Sequence, residues 1–302
     1  MEKNISITLM SNGFPLSMDT NRLGWLNSSD ITSSIATLKQ QYQEQGYLWL
    51  KGLLDTKKVM EFRYLFLTKC KRLGLLKEGS LTEDGIFCVR KIKPGIMNKI
   101  RCEMITSKEY EFLFNSKEIL NFFQFFLNGS VCSLERKIIR CKIPGDYSSD
   151  TGSHYDFTYL RCGTNDVYTC WIPLGDIPVE MGGLIYLENS WKLGQQIEQK
   201  FDSDISNLSC QEAHAIRSQG MGRRGWITKD LAALSDLLNS RWLVAEYKAG
   251  DVVVHSPYII HASSTNQDLQ KRIRLSTDIR YQRVDYKIDQ RWRKAWQPDD
   301  NL

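Results

Sequence analysis

From about residue 135 the sequence changes from helical patterns to a series of short segments with strand character, bounded by glycine and proline. They are rich in β-branched and aromatic residues, which fit a pleated and half-buried surface. The segments are 136–142, 167–172, 183–187, 242–247, 251–255 and 273–281. Many short strands that follow one another predict a β-sandwich or open barrel.

The part before residue 135 carries mostly helical patterns, with isolated strand candidates at 5–9 and 47–50. Ser28-Ser29-Asp30 resembles a helix N-cap, and Gly46 follows the last residue of the apolar stripe behind it. Two more helices are predicted, at 56–72 and 117–126. The phenylalanines of these helices are expected to pack between helices and sheet: Phe62, Phe66, Phe122, Phe123, Phe125 and Phe126.

Helices in front and strands behind predict a single α+β domain over residues 1–302. Its helical part is expected at about 28–130 and its β core at about 135–285. Residues 191–240 interrupt the strand pattern with a polar segment and one predicted helix, 229–238. An insertion of this kind is a common place for an active-site lid.

Composition excludes several classes of function. The net charge of +5 over 302 residues does not indicate nucleic-acid or membrane binding. The sequence also has no run of 18 apolar residues, which is the length that a bilayer span requires. The eight cysteines form no C-x-x-C pair, and the N-terminus has no signal-peptide pattern. We therefore expect a cytoplasmic protein with reduced thiols that binds a small molecule, as a monomer or homodimer.

The triplet His154-Tyr155-Asp156 is the first candidate for chemistry. On an extended strand, side chains two residues apart project from the same face, so the imidazole and the carboxylate could bind one metal ion. A second imidazole would complete the two-histidine, one-carboxylate set of non-haem iron(II) oxygenases.

Three other histidines could supply that imidazole. His214 lies in the polar insertion, where a surface position is expected, and His255 could cap the buried end of a strand. His261 follows a turn and precedes Arg272 and Arg274. An arginine that faces inward beside a metal needs an anion, such as the distal carboxylate of a 2-oxo acid, although both arginines could also be solvated edge residues.

Several motifs occur together in one order. They are His154-Tyr155-Asp156, Tyr168-Thr169-Cys170-Trp171-Ile172-Pro173-Leu174-Gly175-Asp176, Gly182-Gly183-Leu184, Gly250-Asp251-Val252-Val253-Val254, His261-Ala262-Ser263 and Arg272-Ile273-Arg274-Leu275-Ser276. As a set they resemble the phytanoyl-CoA dioxygenase family of iron(II)- and 2-oxoglutarate-dependent oxygenases, from about Gln45 to Gln282. One departure is the Ser190-Trp191 pair, where family members often have Ser-His.

The resemblance implies a double-stranded β-helix, a jelly-roll or cupin-like core with helices packed on one sheet. It also implies that His154, Asp156 and His261 are the iron ligands. The arginine eleven residues after the distal histidine, Arg272, would bind 2-oxoglutarate, with Arg274 as a competitor. Ser276 is a weaker candidate for the same role. Thr169 and Trp171 are also weaker candidates, on a strand near the co-substrate.

The implied reaction uses iron(II), dioxygen and 2-oxoglutarate, yields succinate and CO2, and oxidises a small or medium organic substrate, lipid-like or a specialised metabolite. Hydroxylation is the default outcome, and desaturation, epoxidation or ring closure are variants. An intact Asp156 argues against halogenation, because related halogenases replace that carboxylate.

Two alternatives stay open, a metal-dependent cupin-type enzyme that does not use 2-oxoglutarate and a catalytically silent jelly-roll binding protein. Nucleic-acid demethylation is a more distant one. A glycine-rich loop with Arg223 and Arg224, at 220–225, is expected to be a solvated turn rather than a phosphate site. The aromatic and basic run 280–296 is expected to be an amphipathic tail.

Overall fold

The computed structural model describes residues 5–89, 92–219 and 225–298. Its strands are β1 Met10–Ser11, β2 Phe14–Pro15, β3 Leu23–Trp25, β4 Tyr47–Leu50, β5 Val131–Ser133, β6 Ile138–Lys142, β7 Val167–Pro173, β8 Leu184–Leu187, β9 Trp242–Val244, β10 Val252–His255, β11 His261–Ser263 and β12 Arg274–Arg283. Its helices are α1 Ile35–Gln45, α2 Thr56–Arg72, α3 Ile96–Ile105, α4 Lys108–Phe114, α5 Lys117–Leu127, α6 Phe157–Leu160, α7 Trp191–Asp204, α8 Cys210–Arg217 and α9 Leu231–Leu237.

Two sheets form the β core. The larger sheet has the order β4-β10-β7-β12-β5, with β6 also paired to β12, and all its pairs are antiparallel. The smaller sheet has the order β11-β8-β9-β3. Trp49 and Trp171 of the larger sheet pack with Tyr186 and Leu243 of the smaller one in a single buried cluster. The sheets therefore pack face to face, which confirms the predicted jelly-roll core.

The helices of the N-terminal part cover the outer face of the larger sheet. Ile172 of β7 and Leu275 of β12 are buried in one cluster with Phe62 and Phe66 of α2 and Phe123 of α5. Because side chains alternate along a strand, the even-numbered residues of β12 then face the space between the sheets. Phe125 is the exception to the predicted packing, since it is 66% exposed on the outer side of α5.

Several local predictions were wrong. The first helix begins at Ile35, because Ser34 accepts the Thr37 backbone N–H (3.1 Å), whereas Asp30 closes a separate turn with Thr32. Residues 5–9 form no strand. The front strands are also not isolated: β4 is the edge strand of the larger sheet, and β3 pairs in parallel with β9.

The inserted segment, the helix lengths and the cysteines each add one observation. The 191–240 region carries α7 and α8 as well as the predicted α9, while residues 220–224 of the basic loop lie outside the described residues. Among the helices that the structure describes, none combines the length and the hydropathy that a membrane span requires. All eight cysteines lie in the described ranges, and each is a free thiol.

Candidate metal centre and the cavity beside it

His154 and His261 are direct partners across an antiparallel β-bridge. Each donates its backbone N–H to the carbonyl of the other, at 3.0 and 2.8 Å. The Nδ1 atoms lie 2.9 Å from the Gly152 carbonyl and 3.0 Å from the Ile259 carbonyl. A carbonyl only accepts, so each Nδ1 carries a proton, and Nε2 is the ring nitrogen that is left to bind a metal.

Asp156 completes the cluster through a turn and not through an extended strand. Its φ of −66° and ψ of −29° are helical, and α6 starts at the next residue. The predicted geometry for this position was therefore wrong, although the side chain still reaches the histidines. Its Oδ1 lies 3.7 Å from Nε2 of His154 and 3.7 Å from Nε2 of His261. One ligand atom from each residue lies within 4.8 Å of the others.

The two oxygens of Asp156 have different environments. Oδ2 accepts hydrogen bonds from the Thr169 hydroxyl and from Nη2 of Arg280 (3.1 Å), and it lies 3.4 Å from Nε2 of His255. Oδ1 is buried and has no hydrogen-bond partner within the described ranges. A buried anionic oxygen without a donor fits coordination to a cation.

The charge states of the cluster also suit a divalent metal. Burial alone would raise the pKa of Asp156, but the Arg280 guanidinium and the His255 imidazole beside Oδ2 hold it well below its ordinary value. Burial, together with the two neighbouring imidazoles, holds the pKa of His261 well below its ordinary value. An ionised carboxylate and a neutral imidazole are the forms that bind metal.

The other two histidines do not belong to this group of three ligand atoms. His255 is buried on β10 and pairs in register with Thr169. Its Nδ1 lies 2.9 Å from the Tyr186 hydroxyl, and its Nε2 faces Oδ2 of Asp156, the oxygen away from His154 and His261. His255 therefore helps to hold the carboxylate. His214 is exposed on α8.

The two candidate arginines are in contrasting environments. Arg272 forms a bidentate ion pair with Asp268 (3.0 and 2.7 Å), and its side chain is 29% exposed. Arg274 is 1% exposed and faces the space between the sheets. Its guanidinium lies 5.3 Å from the centre of the Trp171 ring, and its Nη1 donates to the Ser276 hydroxyl (2.8 Å).

Arg274 is the arginine of the two that has, within the described part of the chain, a hydrogen-bond donor without an acceptor. Its Nε has no partner among the residues described, and burial lowers its pKa to about 10. Trp171, beneath the guanidinium, is two residues from Thr169 on the same face of β7, and Thr169 touches Asp156. Arg274 is thus an unneutralised buried cation on the same inner face as the metal cluster.

A cavity of about 340 Å³ opens beside the cluster. His154 and Asp156 are among its lining residues, and Tyr159, Trp226, Trp292 and Trp296 contribute aromatic surface. Its basic lining residues are Arg101, Arg136, Arg140, Lys142 and Arg280. The volume lies at the lower end of the range of small-molecule sites, roughly 300–1,000 Å³.

Sequence reasoning missed two residues around the cluster. Arg280 touches Asp156, and its position on the same face of β12 as Arg274 and Ser276 was a signal that the strand parity already contained. Glu198 of α7 accepts from the Tyr155 hydroxyl (2.6 Å) and pairs with Arg161 (2.6 Å). Nothing in the sequence links Glu198 to the metal motif, because the contact spans 43 residues.

A jelly roll that brings two histidines and an aspartate together beside a cavity is the arrangement of the mononuclear non-haem iron enzymes. The profile of the phytanoyl-CoA dioxygenase family matches residues 42–274, and the chain belongs to this family. It is a non-haem iron enzyme that depends on 2-oxoglutarate. The neutral His261, the ionised Asp156 and its unpartnered Oδ1 fit iron(II).

Solved structures share the fold at low sequence identity. The carbocyclase SnoK from nogalamycin biosynthesis is 19% identical, with a TM-score of 0.53 over 87% of this chain and 89% of that one. The epimerase SnoN, crystallised with Fe3+, alpha ketoglutarate and nogalamycin RO, is 17% identical, with a TM-score of 0.52 over 84% and 85%. No curated protein matches the sequence.

Proposed function

We propose that His154, Asp156 and His261 hold the iron and that the enzyme hydroxylates a small organic substrate in the adjacent cavity. The observation that carries this proposal is the convergence of the three ligand atoms within 4.8 Å around the unpartnered Oδ1 of Asp156. Three protein ligands on one side of a metal leave positions for a 2-oxo acid and for dioxygen.

Arg274, with the Ser276 hydroxyl, binds the distal carboxylate of 2-oxoglutarate. Both groups are buried on the inner face of β12, and the unpartnered Nε of Arg274 offers a charge-assisted donor. Arg272, the arginine that the family spacing selects, is already neutralised by Asp268. The inner position and the unused donor favour Arg274 for this role.

The remaining residues orient and shield the centre. Thr169, Arg280 and His255 all act on Oδ2 of Asp156, which leaves Oδ1 directed to the two imidazoles. Aromatic pairs fill the space between the sheets and exclude water: Tyr47 is stacked on Tyr186, and Trp171 is tilted against Tyr247. Iron with 2-oxoglutarate and dioxygen supplies the oxidising power that removes a hydrogen atom from the substrate, with succinate and CO2 as co-products.

Hydroxylation is the simplest outcome, and other outcomes occur on the same fold. SnoN is described as an epimerase and SnoK as a carbocyclase. The cavity lining carries five basic side chains, which favours a polar specialised metabolite over a lipid-like substrate. An intact Asp156 remains an argument against halogenation.

The proposal can be tested without the natural substrate, by measuring the conversion of 2-oxoglutarate to succinate when no substrate is oxidised. The wild-type protein, given iron(II), ascorbate and 2-oxoglutarate, should release succinate, and His261→Ala should abolish both the release and the binding of Ni(II) in place of iron. His214→Ala is the matched control, because His214 is exposed on α8, and it should behave as wild type. Absence of succinate and of metal binding in the wild type would favour a silent binding protein.

A cupin-type enzyme that does not use 2-oxoglutarate makes a different prediction. It would bind metal through the same three residues, but its metal affinity and spectrum would not respond to 2-oxoglutarate. A change in the absorption spectrum of the Ni(II) protein on addition of 2-oxoglutarate therefore separates the two enzymes.

A further inference from the structure

Two arginines in the cavity have nitrogens that the protein leaves without partners. Arg280 is 3% exposed, and after its Nη2 contact with Asp156 its Nε and Nη1 have no hydrogen-bond acceptor in the parts of the chain described. On α3, Nη1 of Arg101 donates to Asn98 (3.1 Å), but its buried Nε has no acceptor within the same ranges. Buried guanidinium nitrogens normally find acceptors, so both point to an anionic ligand.

The charge around the cavity supports the same conclusion. Five basic and two acidic side chains line it, and Asp278 adds one carboxylate through its ion pair with Arg140 (2.5 Å). Asp150 neutralises Lys142 (2.7 Å). Arg136 has a further interaction of its own, and without it the four remaining basic and three acidic side chains keep a net positive charge of one. Iron(II) and the 2-oxoglutarate dianion would cancel each other, so the loaded cavity would still favour an anion.

The aromatic side chains indicate what accompanies that anion. Trp292 lies beside Arg280, with the guanidinium carbon 4.7 Å from the ring centre, and Trp226, Trp296 and Tyr159 line the same cavity. Indole and phenol rings around a narrow cavity suit a flat, apolar body. A long flexible chain would gain less from such walls.

We propose that the substrate is an anionic molecule, a carboxylate or phosphate on a flat ring system, whose charged group binds Arg280 and Arg101 while the ring packs on Trp292. This assignment rests on the proposed function, because it takes the cluster of His154, Asp156 and His261 beside the cavity as the reaction centre. It is separate from the co-substrate position at Arg274, which is absent from the cavity lining.

Matched probes test the charge preference. In the protein loaded with Ni(II) and 2-oxoglutarate, which is catalytically inert, we expect 2-naphthoate to bind at least about tenfold more tightly than neutral 2-naphthamide, a difference of about 1.4 kcal/mol. Quenching of tryptophan fluorescence and calorimetry give both dissociation constants. 2-Naphthyl phosphate in a third titration distinguishes phosphate from carboxylate as the preferred anion. Equal affinities of the charged and neutral probes in the wild type would overturn the proposal.

Single substitutions of arginine show which side chain causes the preference for the charged probe. Arg280→Gln should remove the preference for 2-naphthoate, whereas Arg283→Gln, on the same strand but ion-paired with Asp285, should keep it. Because Arg280 also holds Asp156, Ni(II) binding is measured for each variant. If Arg280→Gln loses the metal, Arg101→Gln decides, since Arg101 has no contact with Asp156 among those described. It should lower the preference at least about threefold, and an unchanged preference would contradict the proposal.

Two further outcomes separate the possible failures. Competition between 2-naphthoate and 2-oxoglutarate would mean that the cavity arginines serve the co-substrate, which overturns the inference but not the proposed function. A wild-type protein that binds neither Ni(II) nor 2-oxoglutarate, yet prefers 2-naphthoate, would overturn the proposed function and keep the anion site.

Discussion

His154 and His261, 107 residues apart in the chain, exchange both of their backbone hydrogen bonds across one antiparallel bridge. Their ring centres lie 4.2 Å apart, and each Nδ1 is held by a carbonyl two residues before it. The backbone pairing therefore sets the spacing of the two Nε2 atoms before any metal binds. This is preorganisation of the kind that functional sites require.

The first prediction separates the two arginines. Arg274→Gln should raise the KM for 2-oxoglutarate in the succinate assay by roughly 10- to 100-fold, because a hydrogen bond to a charged group contributes about 1.5–3 kcal/mol. Arg272→Gln should change the KM little, since Arg272 is neutralised by Asp268 and its side chain is partly exposed. The opposite ranking of the two variants would restore Arg272 as the residue that binds the co-substrate.

The second prediction concerns the residues that hold Asp156. Thr169→Val removes a hydroxyl that donates to Oδ2 and keeps the shape of the side chain. We expect the dissociation constant for Ni(II) to rise about 10- to 100-fold, as for other residues that orient metal ligands. Thr277→Val is the control, because Thr277 lies on the opposite face of the neighbouring strand and its hydroxyl is hydrogen-bonded to the Tyr110 hydroxyl. It should lower stability without changing Ni(II) affinity. Equal Ni(II) affinity in wild type and Thr169→Val would show that the contact does not orient the carboxylate.

The third prediction tests how α7 sits against the segment that leads to His261. A Cβ on Gly194 would lie 2.0 Å from the Tyr258 carbonyl oxygen, so the backbone must move. Gly194→Ala should lower the free energy of unfolding by about 1–3 kcal/mol, although alanine by itself favours a helix by about 1 kcal/mol over glycine.

Gln196→Ala, at an exposed position of the same helix, is the control for the third prediction and should leave stability nearly unchanged. Thermal or urea unfolding monitored by circular dichroism measures both variants. A stabilised Gly194→Ala protein would mean that the close approach does not exist.

The fourth prediction concerns Lys142, whose pKa burial lowers to about 8 against an ordinary value of 10.5. Between these values the unfolded chain binds more protons than the folded one, so stability rises with pH across this window. Relative to Lys142→Met, wild-type stability should increase from pH 8 to pH 10.5, by up to about 3 kcal/mol. Urea unfolding at several pH values measures the difference, and a difference that is flat or falls with pH contradicts the lowered pKa.

Much of the fold could be predicted because its signals are local. The second helix was predicted at 56–72 and is α2 Thr56–Arg72, since its apolar stripe and its stop at Gly74 are both readable in one segment. The pairing of β4 with β10 was not readable, because it joins segments about 200 residues apart. The residues of a short strand do not indicate which other strand it pairs with.

Local signals around the site were partly overlooked. Asp268 lies four residues before Arg272, a spacing at which an ion pair could have been expected, and that pair is the reason why we favour Arg274 for the co-substrate. The turn at Asp156 was also misjudged, because the i and i+2 spacing was assigned to an extended strand while the following residues form α6. The carboxylate reaches the cluster by a different backbone conformation.

The sequence by itself supplied the candidate ligands, imidazoles and a carboxylate, because residue types can be read directly from it. It also supplied the alternation that directs Arg274 and Ser276 to one face of β12, because residues two apart on a strand share a face. Residue type and spacing left His255 and His261 open, and the family resemblance named His261. The tertiary structure supplies the physical reason why His261 and not His255 joins the cluster, since both are buried strand histidines. The choice depends on which backbone pairs with His154. That pairing is a contact between distant segments, and packing of the two sheets fixes it.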